Sequence, residues 1–482
     1  MSGGYDLILR HATVVDGTRA PRYQADVAVR GDRIAHIGSL DDARAETEID
    51  ASGKVVSPGF IDAHTHDDRL MLSAPEMAPK VSQGVTTVVA GNCGVSLAPL
   101  LLGARAAPPP LDLIGDPDWY RFPSFSSYVE ELESKPSATN AALLVGHTTL
   151  RVAAMERLDR PASSAEILSM QDRVREALDA GAIGCSSGLY YEPARAAPTE
   201  EVIEVCRPLT QRKALYCTHM RDEGDRVTES LQETFRIGRE LGVPVVISHH
   251  KVVGLPNHGR TRETLPLIAE RMQSQPIGLD CYPYCASSTI LTADRAAIAS
   301  KTLVTWSKPH PEVAGMDLDE ISLKMNLSIE ETADRLRPAG AIYFAMDEAD
   351  VQRVLAFERT MVGSDGLPHD AAPHPRLWGT FPRVLGHYSR GLGLFPLETA
   401  VYKMTGLTAR TFGLADRGIL REGAYADLCV FDPRTVDETA TFSRPIQPAK
   451  GIEAVIVNGA IVWRDGRATG ARPGRVLRRT LL

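Results

Sequence analysis

The sequence predicts an α/β fold: a (β/α)8 TIM barrel, a small β-sandwich domain built from both chain ends, and an insertion after the seventh barrel strand. The middle of the chain alternates eight apolar runs with helix-like stretches, the two ends share a texture of short strands and turns, and one connection is too long for an ordinary loop. We expect the small β domain from residues 1–55 plus 412–482, and the barrel from 56–411 with 286–345 as an insertion over its mouth.

Eight apolar runs are the predicted barrel strands. Most are continuous Val, Ile, Leu and Ala runs, as expected for strands that are buried on both faces. Amphipathic helices are predicted between several of them, for example over 163–181 and 226–242. The predicted strands lie in residues 55–66, 86–94, 140–150, 180–189, 214–220, 243–251, 276–284 and 360–366.

The chain ends and the insertion carry weaker signals. Residues 25–38 form a predicted hairpin that turns at Gly31, and the other end has β-branched runs over 426–431, 452–459 and 460–466. Neither end has enough strands to bury a core alone, so we expect the two ends to pair. Within the insertion, Ser328 followed by Glu331 predicts a capped helix start.

Composition narrows the classes of function. The 482 residues carry a formal net charge of −8, which argues against a nucleic-acid partner, and the one basic run, Arg464 to Arg479, is typical of a solvated chain end. Seven scattered cysteines do not indicate a disulfide framework. The N-terminus lacks a signal-peptide pattern, and no run approaches the about 18 apolar residues of a membrane span, so a cytoplasmic protein without a membrane partner is expected.

Metal-ligand side chains follow the predicted strands, at the barrel face where catalytic groups collect. His64 and His66 end the first run and point to the same side, because side chains alternate along a strand. One such residue alone is more often ordinary packing, but their recurrence at separate strand ends predicts a metal site. The others are Cys93, His147, His219, His249, His250 and Asp365.

The donor types favour zinc. Cysteine, histidine and carboxylate together suit Zn²⁺ better than Mg²⁺ or Ca²⁺, which prefer oxygen ligands. Three protein ligands with one open position define a catalytic zinc site. Cys93, His219 and His249 fit that count.

Several segments resemble a known family. GFIDAHTHDD (59–68) and GSDG (363–366), with the flanking β domain, resemble the amidohydrolase superfamily. GVTTVVAGNCG (84–94), THMRDEG (218–224), ISHHK (247–251) and MVGSDGLPHD (361–370) resemble its N-acyl-D-amino-acid deacylases, or D-aminoacylases, including those that act on N-acyl-D-glutamate. The resemblance covers essentially the whole chain. The fourth run has no lysine of the kind that bridges two metals in many amidohydrolases, which agrees with the deacylase branch.

The resemblance implies a mechanism. Cys93, His219 and His249 would hold one tight Zn²⁺, and His64 and His66 would line a second, weaker site. Zinc would make a bound water more acidic and polarise the amide carbonyl. Asp365 would take the proton of that water and return it to the leaving amine. The substrate would be a small-molecule N-acyl-D-amino acid, with the preference for D over L implied by the resemblance alone.

Groups for the substrate carboxylate are expected beside the metal. Arg376 follows Asp365 closely, and a guanidinium binds a carboxylate through two hydrogen bonds. Tyr282 at the end of the seventh run, with either Ser287 or Ser288 at the start of the insertion, would complete this clamp.

A second pair of cations would select the amino-acid side chain. Lys251 and Arg295 together would hold a second carboxylate, which predicts an acidic substrate such as N-acyl-D-glutamate. The alternative is that Arg295 lies in solvent and Lys251 pairs with a protein acid. A deacylase for hydrophobic D-amino acids would line this pocket with Leu, Met or Phe instead. Tyr190 would border the acyl group, whereas Tyr191 is expected to be ordinary loop packing.

Other functions remain open at this point. A cyclic-amide or dipeptide hydrolase would keep the same metal site, and a ligand-binding barrel without activity would have no use for Asp365. The segment Gly184–Gly188 also matches the G-x-S-x-G nucleophile motif, but the proline-rich stretch after it does not start the helix which that motif requires.

Overall fold

The computed structural model describes residues 4–480, and its centre is a barrel of eight parallel strands. Each strand pairs with the next along the chain, and the backbone N–H of Ala63 donates to the carbonyl of Val362 at 3.1 Å, which joins the first strand to the eighth. The predicted barrel is confirmed. Its strands are Phe60–Asp62, Val85–Ala90, Asn140–Gly146, Gly184–Gly188, Leu215–His219, Val245–Ile247, Ile277–Cys281 and Thr360–Val362.

The run predicted as one strand over 55–66 is two strands in two sheets. Val55–Pro58 pairs antiparallel with Leu428–Phe431, whereas Phe60–Asp62 is the first barrel strand. Gly59 lies between them, and a Cβ there would come within 2.1 Å of the Thr86 side chain. The chain therefore changes sheets at a glycine, because any larger residue at position 59 would clash with Thr86.

Both chain ends contribute to one nine-stranded sheet, as the matching textures predict. The predicted hairpin at Gly31 is present, and buried side chains such as Leu9, Val27, Leu428 and Ile456 form the core of this sheet. Its strands are Tyr5–Val14, Tyr23–Arg30, Arg33–Gly38, Ala45–Asp50, Val55–Pro58, Leu428–Phe431, Ile452–Val457, Ala460–Arg464 and Arg467–Ala468.

The insertion after the seventh barrel strand has a sheet and a core of its own. Ser287–Ile290 and Thr302–Ser307 both pair antiparallel with Ala339–Tyr343. The predicted helix start is confirmed, because the Ser328 side chain accepts from the backbone of Glu331 and the Glu331 side chain accepts from the backbone of Ser328. The start of the insertion faces the carboxyl ends of the barrel strands.

Helices surround the barrel. The two helices predicted over 163–181 and 226–242 are Ser164–Ala180 and Val227–Leu241. No helix within residues 4–480 is long and apolar enough to cross a bilayer. The other α-helices are Leu70–Ser73, Ala78–Val81, Phe125–Ser134, His147–Ala154, Glu192–Arg195, Thr199–Cys206, Pro208–Arg212, Thr261–Arg271, Ala293–Ala297, Leu318–Met325, Ile329–Leu336, Glu348–Ala356, Arg376–Arg383, Leu397–Met404 and Gly406–Phe412, with a π-helix at Val384–Gly391.

Short elements complete the chain. Leu100–Leu101 pairs with Arg121–Phe122, and Val476–Leu477 adds to the third barrel strand. Single 3-10 turns lie at Leu111–Leu113, Pro117–Trp119, Leu255–Asn257 and Pro311–Val313.

A buried lysine ties an outer helix to the eighth barrel strand. Lys403, 1% exposed, donates from Nζ to the carbonyls of Phe357, which follows the helix Glu348–Ala356, and of Thr360, the first residue of that strand. Burial, together with the nearby Arg19, lowers the pKa of Lys403 from its usual value to about 7.

We predict that this lysine makes stability depend on pH. An unfolded lysine has a pKa of about 10.4, so between about pH 7 and 10 the unfolded state binds more protons and stability rises with pH. Lys403→Met removes that dependence, and its gain in melting temperature over the wild type should be larger at about pH 7 than at about pH 9.5. The exposed Lys450→Met is the control; an equal gain at both pH values for Lys403→Met would contradict the prediction.

Candidate metal site

The predicted ligands come together at the carboxyl ends of the barrel strands. Three of them, Cys93, His249 and Asp365, have left-handed backbones with φ of 54°, 37° and 50°. Each follows its strand by two or three residues, so the chain turns sharply there and directs the side chain across the barrel mouth. Such conformations cost about 1–3 kcal/mol each in a non-glycine residue and cluster at functional sites.

The first donor group is Cys93, His219 and His249, whose donor atoms all lie within 4.8 Å of one another. The Cys93 sulfur is 3.3 Å from Nε2 of His249, and the rings of His219 and His249 meet edge to face at 4.5 Å between centroids. Behind Cys93, the Ser186 hydroxyl donates to the carbonyl of Gly91 and accepts from the backbone N–H of Gly94.

The second donor group shares the same sulfur. His64, His66 and Asp365 join Cys93 within the same 4.8 Å limit. The Cys93 sulfur lies 3.3 Å from Nε2 of His64, and Nε2 of His66 lies 3.2 Å from Oδ1 of Asp365. All four side chains are buried. Cys93 therefore stands between two adjacent donor groups.

The local charges set the protonation of these ligands. Burial alone would raise the pKa of the Cys93 thiol, but the His64 and His249 rings outweigh it and hold that pKa well below its usual range. Burial lowers the pKa of His219, so a neutral imidazole offers a lone pair. Burial would likewise raise the pKa of Asp365, but Arg376 and His64 hold it well below its usual range.

The residues fit a metal ion. Neither ring nitrogen of His219 has a hydrogen-bond partner, although both are buried, and an unpaired buried polar atom costs about 1–3 kcal/mol. Cysteine thiolate and histidine imidazole are the ligand types that zinc prefers. Cys93, His219 and His249 could hold one ion, and His64 and His66 could hold a second, with Cys93 and Asp365 beside it.

Two acidic residues that we did not single out in the sequence orient these ligands. Glu223 Oε1 lies 3.0 Å from Nδ1 of His249, and its Oε2 lies 3.7 Å from Nε2 of His219. Asp280 accepts from the backbone N–H of His249 at 2.9 Å and lies 3.5 Å from Nδ1 of His64. The four-residue spacing from His219 to Glu223 could have indicated that Glu223 lies beside the metal site. Asp280 lies inside an apolar strand, and its sequence context does not indicate a role.

A small cavity opens beside the donor groups. Lys251 lines it, but its Nζ donates to Glu223 at 2.6 Å, which is the protein-acid pairing considered above as the alternative. Arg295 also lines it, and the alternative of a solvated Arg295 is wrong, because the residue is only 7% exposed. Its Nε donates to the Tyr190 hydroxyl at 2.9 Å, and no carboxylate within residues 4–480 pairs with it.

The residues proposed for the substrate carboxylate lie together on one side. Arg376 is fully buried, with Nη1 2.9 Å from Oδ2 of Asp365 and its guanidinium 4.4 Å from the Tyr282 ring centroid. Its Nη2 donates to the carbonyl of Ser288 at 3.1 Å. The hydroxyls of Ser287 and Ser288 line the cavity, are buried and have no hydrogen-bond partner.

Other predicted residues lie outside the donor groups. His147 begins a helix and lies 3.7 Å from Glu201, and His250 contacts Thr264 at 2.9 Å. Tyr191, expected to be loop packing, lines the cavity. Gly184–Gly188 is a barrel strand followed by a turn, so its buried serines do not form a nucleophile motif.

Comparison with known proteins places this arrangement in a family. The amidohydrolase family model matches residues 47–298 and 349–463. A D-aminoacylase of Alcaligenes xylosoxydans xylosoxydans is 60% identical over 99% of this chain and 98% of its own length. An N-acyl-D-aspartate deacylase of the same organism is 53% identical over 98% of this chain and 95% of its own length.

Solved structures agree. A D-aminoacylase structure described in terms of a binuclear metal center, with one-metal activation and second-metal attenuation, matches with TM-score 0.96 at 60% identity, over 98% of this chain and all of that one. The N-acyl-D-glutamate deacylase of Bordetella bronchiseptica, complexed with zinc and a phosphonate inhibitor that mimics the tetrahedral intermediate, matches with TM-score 0.95 at 46% identity, over 99% and 100% of the two chains. This chain therefore belongs to the amidohydrolase family and, within it, to the N-acyl-D-amino-acid deacylases.

Proposed function

We propose that this protein hydrolyses the amide bond of N-acyl-D-amino acids with an acidic side chain, N-acyl-D-glutamate first, and that it uses zinc. The observation that carries the acidic preference is Arg295: a buried guanidinium in the cavity wall without a carboxylate partner within residues 4–480. A buried, unpaired charge is costly, so such a group fits an anionic ligand. Lys251 is neutralised by Glu223 and adds less than we expected from the sequence.

The proposed metal ligands follow the two donor groups. Cys93, His219 and His249 hold the tight zinc, and His64 and His66 line the weaker second site. When bound, zinc supplies a Lewis acid for the amide carbonyl and makes water more acidic. The solved D-aminoacylase with a binuclear metal center supports the proposal of two sites, and the N-acyl-D-glutamate deacylase complexed with zinc supports the choice of metal.

Asp365 is the proposed proton carrier. Its carboxylate accepts a proton from the water that attacks the carbonyl carbon and then gives it to the amine nitrogen as the C–N bond breaks. Arg376 at 2.9 Å and His66 at 3.2 Å fix its orientation. The products are a carboxylate and a free D-amino acid.

The α-carboxylate of the substrate is proposed to lie among Arg376, Tyr282, Ser287 and Ser288. The buried hydroxyls of both serines and Nε of Arg376 have no hydrogen-bond partner, and all three could donate to a carboxylate. Tyr190 acts through Arg295, whose guanidinium it holds at 4.1 Å from its ring.

Removing the proton carrier tests the chemistry. We expect Asp365→Asn to lower kcat about 10²–10⁴-fold, because a carboxamide is too weak a base to accept the proton of the attacking water. The measurement is turnover of N-acetyl-D-glutamate together with zinc content by mass spectrometry. The control is Glu358→Gln, because Glu358 is an exposed acid just before the eighth barrel strand, the strand that Asp365 follows. Unchanged kcat in Asp365→Asn would refute the assignment.

Changing the pocket cation tests specificity. We expect Arg295→Leu to lower the ratio of kcat/KM for N-acetyl-D-glutamate over N-acetyl-D-leucine by about 10–100-fold, as expected for losing a charged hydrogen bond. Arg335→Leu, exposed on the same insertion, should leave the ratio unchanged. N-acetyl-L-glutamate serves to test the D preference. If the wild type hydrolyses N-acetyl-D-leucine but not N-acetyl-D-glutamate, the acidic preference is wrong.

Metal stoichiometry tests the ligand assignment without relying on activity. Equilibrium dialysis at graded free zinc should give one tight and one weaker ion in the wild type. We expect His219→Ala to lose the tight ion, His64→Ala to lose only the weaker one, and Cys93→Ala to weaken both. His36→Ala, on the terminal sheet, is the control. Loss of the tight ion in His64→Ala would reverse the two sites.

A further inference from the structure

A second cavity adjoins the metal site. The cavity beside the donor groups has about 20 Å³ of free space, which is room for roughly one water molecule. The neighbouring cavity has about 270 Å³, and Leu113 lines both. Room for a larger acyl group therefore lies on the far side of Leu113.

Leu113, which lines both cavities, is one of several apolar residues at the metal site. The apolar lining of the metal-site cavity consists of Val95, Pro110, Leu113, Ile114 and Leu367. Leu113 closes a single 3-10 turn, Leu111–Leu113, in a long loop after the second barrel strand.

The second cavity is partly lined by polar side chains. Four side chains there each have a buried atom with no hydrogen-bond partner: Arg69 Nε, Asp112 Oδ1, His369 Nε2 and Asp370 Oδ2. Arg69 stacks on Trp119, with 4.9 Å to the ring centroid, and interacts electrostatically with Asp116, which also lines the cavity.

These four atoms distinguish the classes of acyl group. A saturated chain would leave them unpaired at a cost of about 1–3 kcal/mol each. A chain that ends in a carboxylate would face both Asp112 and Asp370. An amide offers one N–H and one C=O, which suit the two acids and Arg69 together. Burial raises the pKa of Asp112 and of Asp370 to about 7, so each can also donate.

We propose that this cavity, lined by Arg69, Asp112, His369 and Asp370, is a subsite for acyl groups that carry an amide, so that N-acylated aminoacyl-D-amino acids are substrates. The proposal rests on the proposed function. The carbonyl carbon stays at the metal site, the apolar wall at Leu113 receives the first carbon, and the amide reaches the polar atoms beyond it.

Two acyl chains of equal length test the subsite. N-(N-acetylglycyl)-D-glutamate and N-pentanoyl-D-glutamate differ by the amide, and N-acetyl-D-glutamate is the reference. We expect the wild type to prefer the acetylglycyl compound over the pentanoyl compound by about tenfold in kcat/KM, from two added hydrogen bonds. Ala371→Trp, which fills the cavity, and Arg69→Met should bring this ratio to about one. Ala20→Trp, exposed in a distant loop, should keep it.

Binding to chelator-treated protein separates this proposal from the proposed function. The dissociation constants of the same compounds, measured by calorimetry without turnover, should show the same preference and its loss in Ala371→Trp. No turnover of N-acetyl-D-glutamate would refute the proposed function, while the binding ratio would still decide the subsite. Equal binding of the two longer compounds, or a preference that survives Ala371→Trp, would overturn the subsite.

Discussion

The sulfur of Cys93 is the point on which the arrangement of the site depends. It belongs to both donor groups and lies 3.3 Å from imidazole nitrogens of His64 and His249. Residues from the first, second, fifth, sixth and eighth strands therefore have to meet around one atom. The Ser186 hydroxyl, on the fourth strand, holds the loop that carries it. Closure of the whole barrel is thus a condition for assembling either donor group.

Opposite charges alternate through the buried site. Lys251 contacts Glu223, Glu223 contacts His249, and on the other side Asp365 contacts Arg376. A buried ion is tolerated when it is paired and hydrogen-bonded, and each of these has a partner of opposite charge. Arg295 breaks the alternation, with a tyrosine hydroxyl in place of an acid. This departure from the pattern faces the cavity, where an anionic ligand could supply the missing negative charge.

The barrel and its candidate metal ligands could be predicted from the sequence because both depend on local patterns. Apolar runs form strands, and polar residues that follow parallel strands meet on one face of the barrel. It did not show the change of sheet at Gly59, because the constraint is a contact with Thr86, a residue in another strand. The role of Lys251 could not be predicted from its own position either, because its charge is neutralised by Glu223. Both misses concern partners distant in sequence, which strand and helix periodicity does not encode.

The terminal sheet has a consequence for folding during synthesis. Val55–Pro58 lies between Tyr5–Val14, which is synthesised before it, and Leu428–Phe431, which is synthesised much later. The N-terminal strands emerge from the ribosome long before their neighbours exist, and non-local pairing of this kind slows folding and leaves strand edges exposed. The edge of Val55–Pro58 therefore has to be kept from pairing with other chains until Leu428–Phe431 has been synthesised.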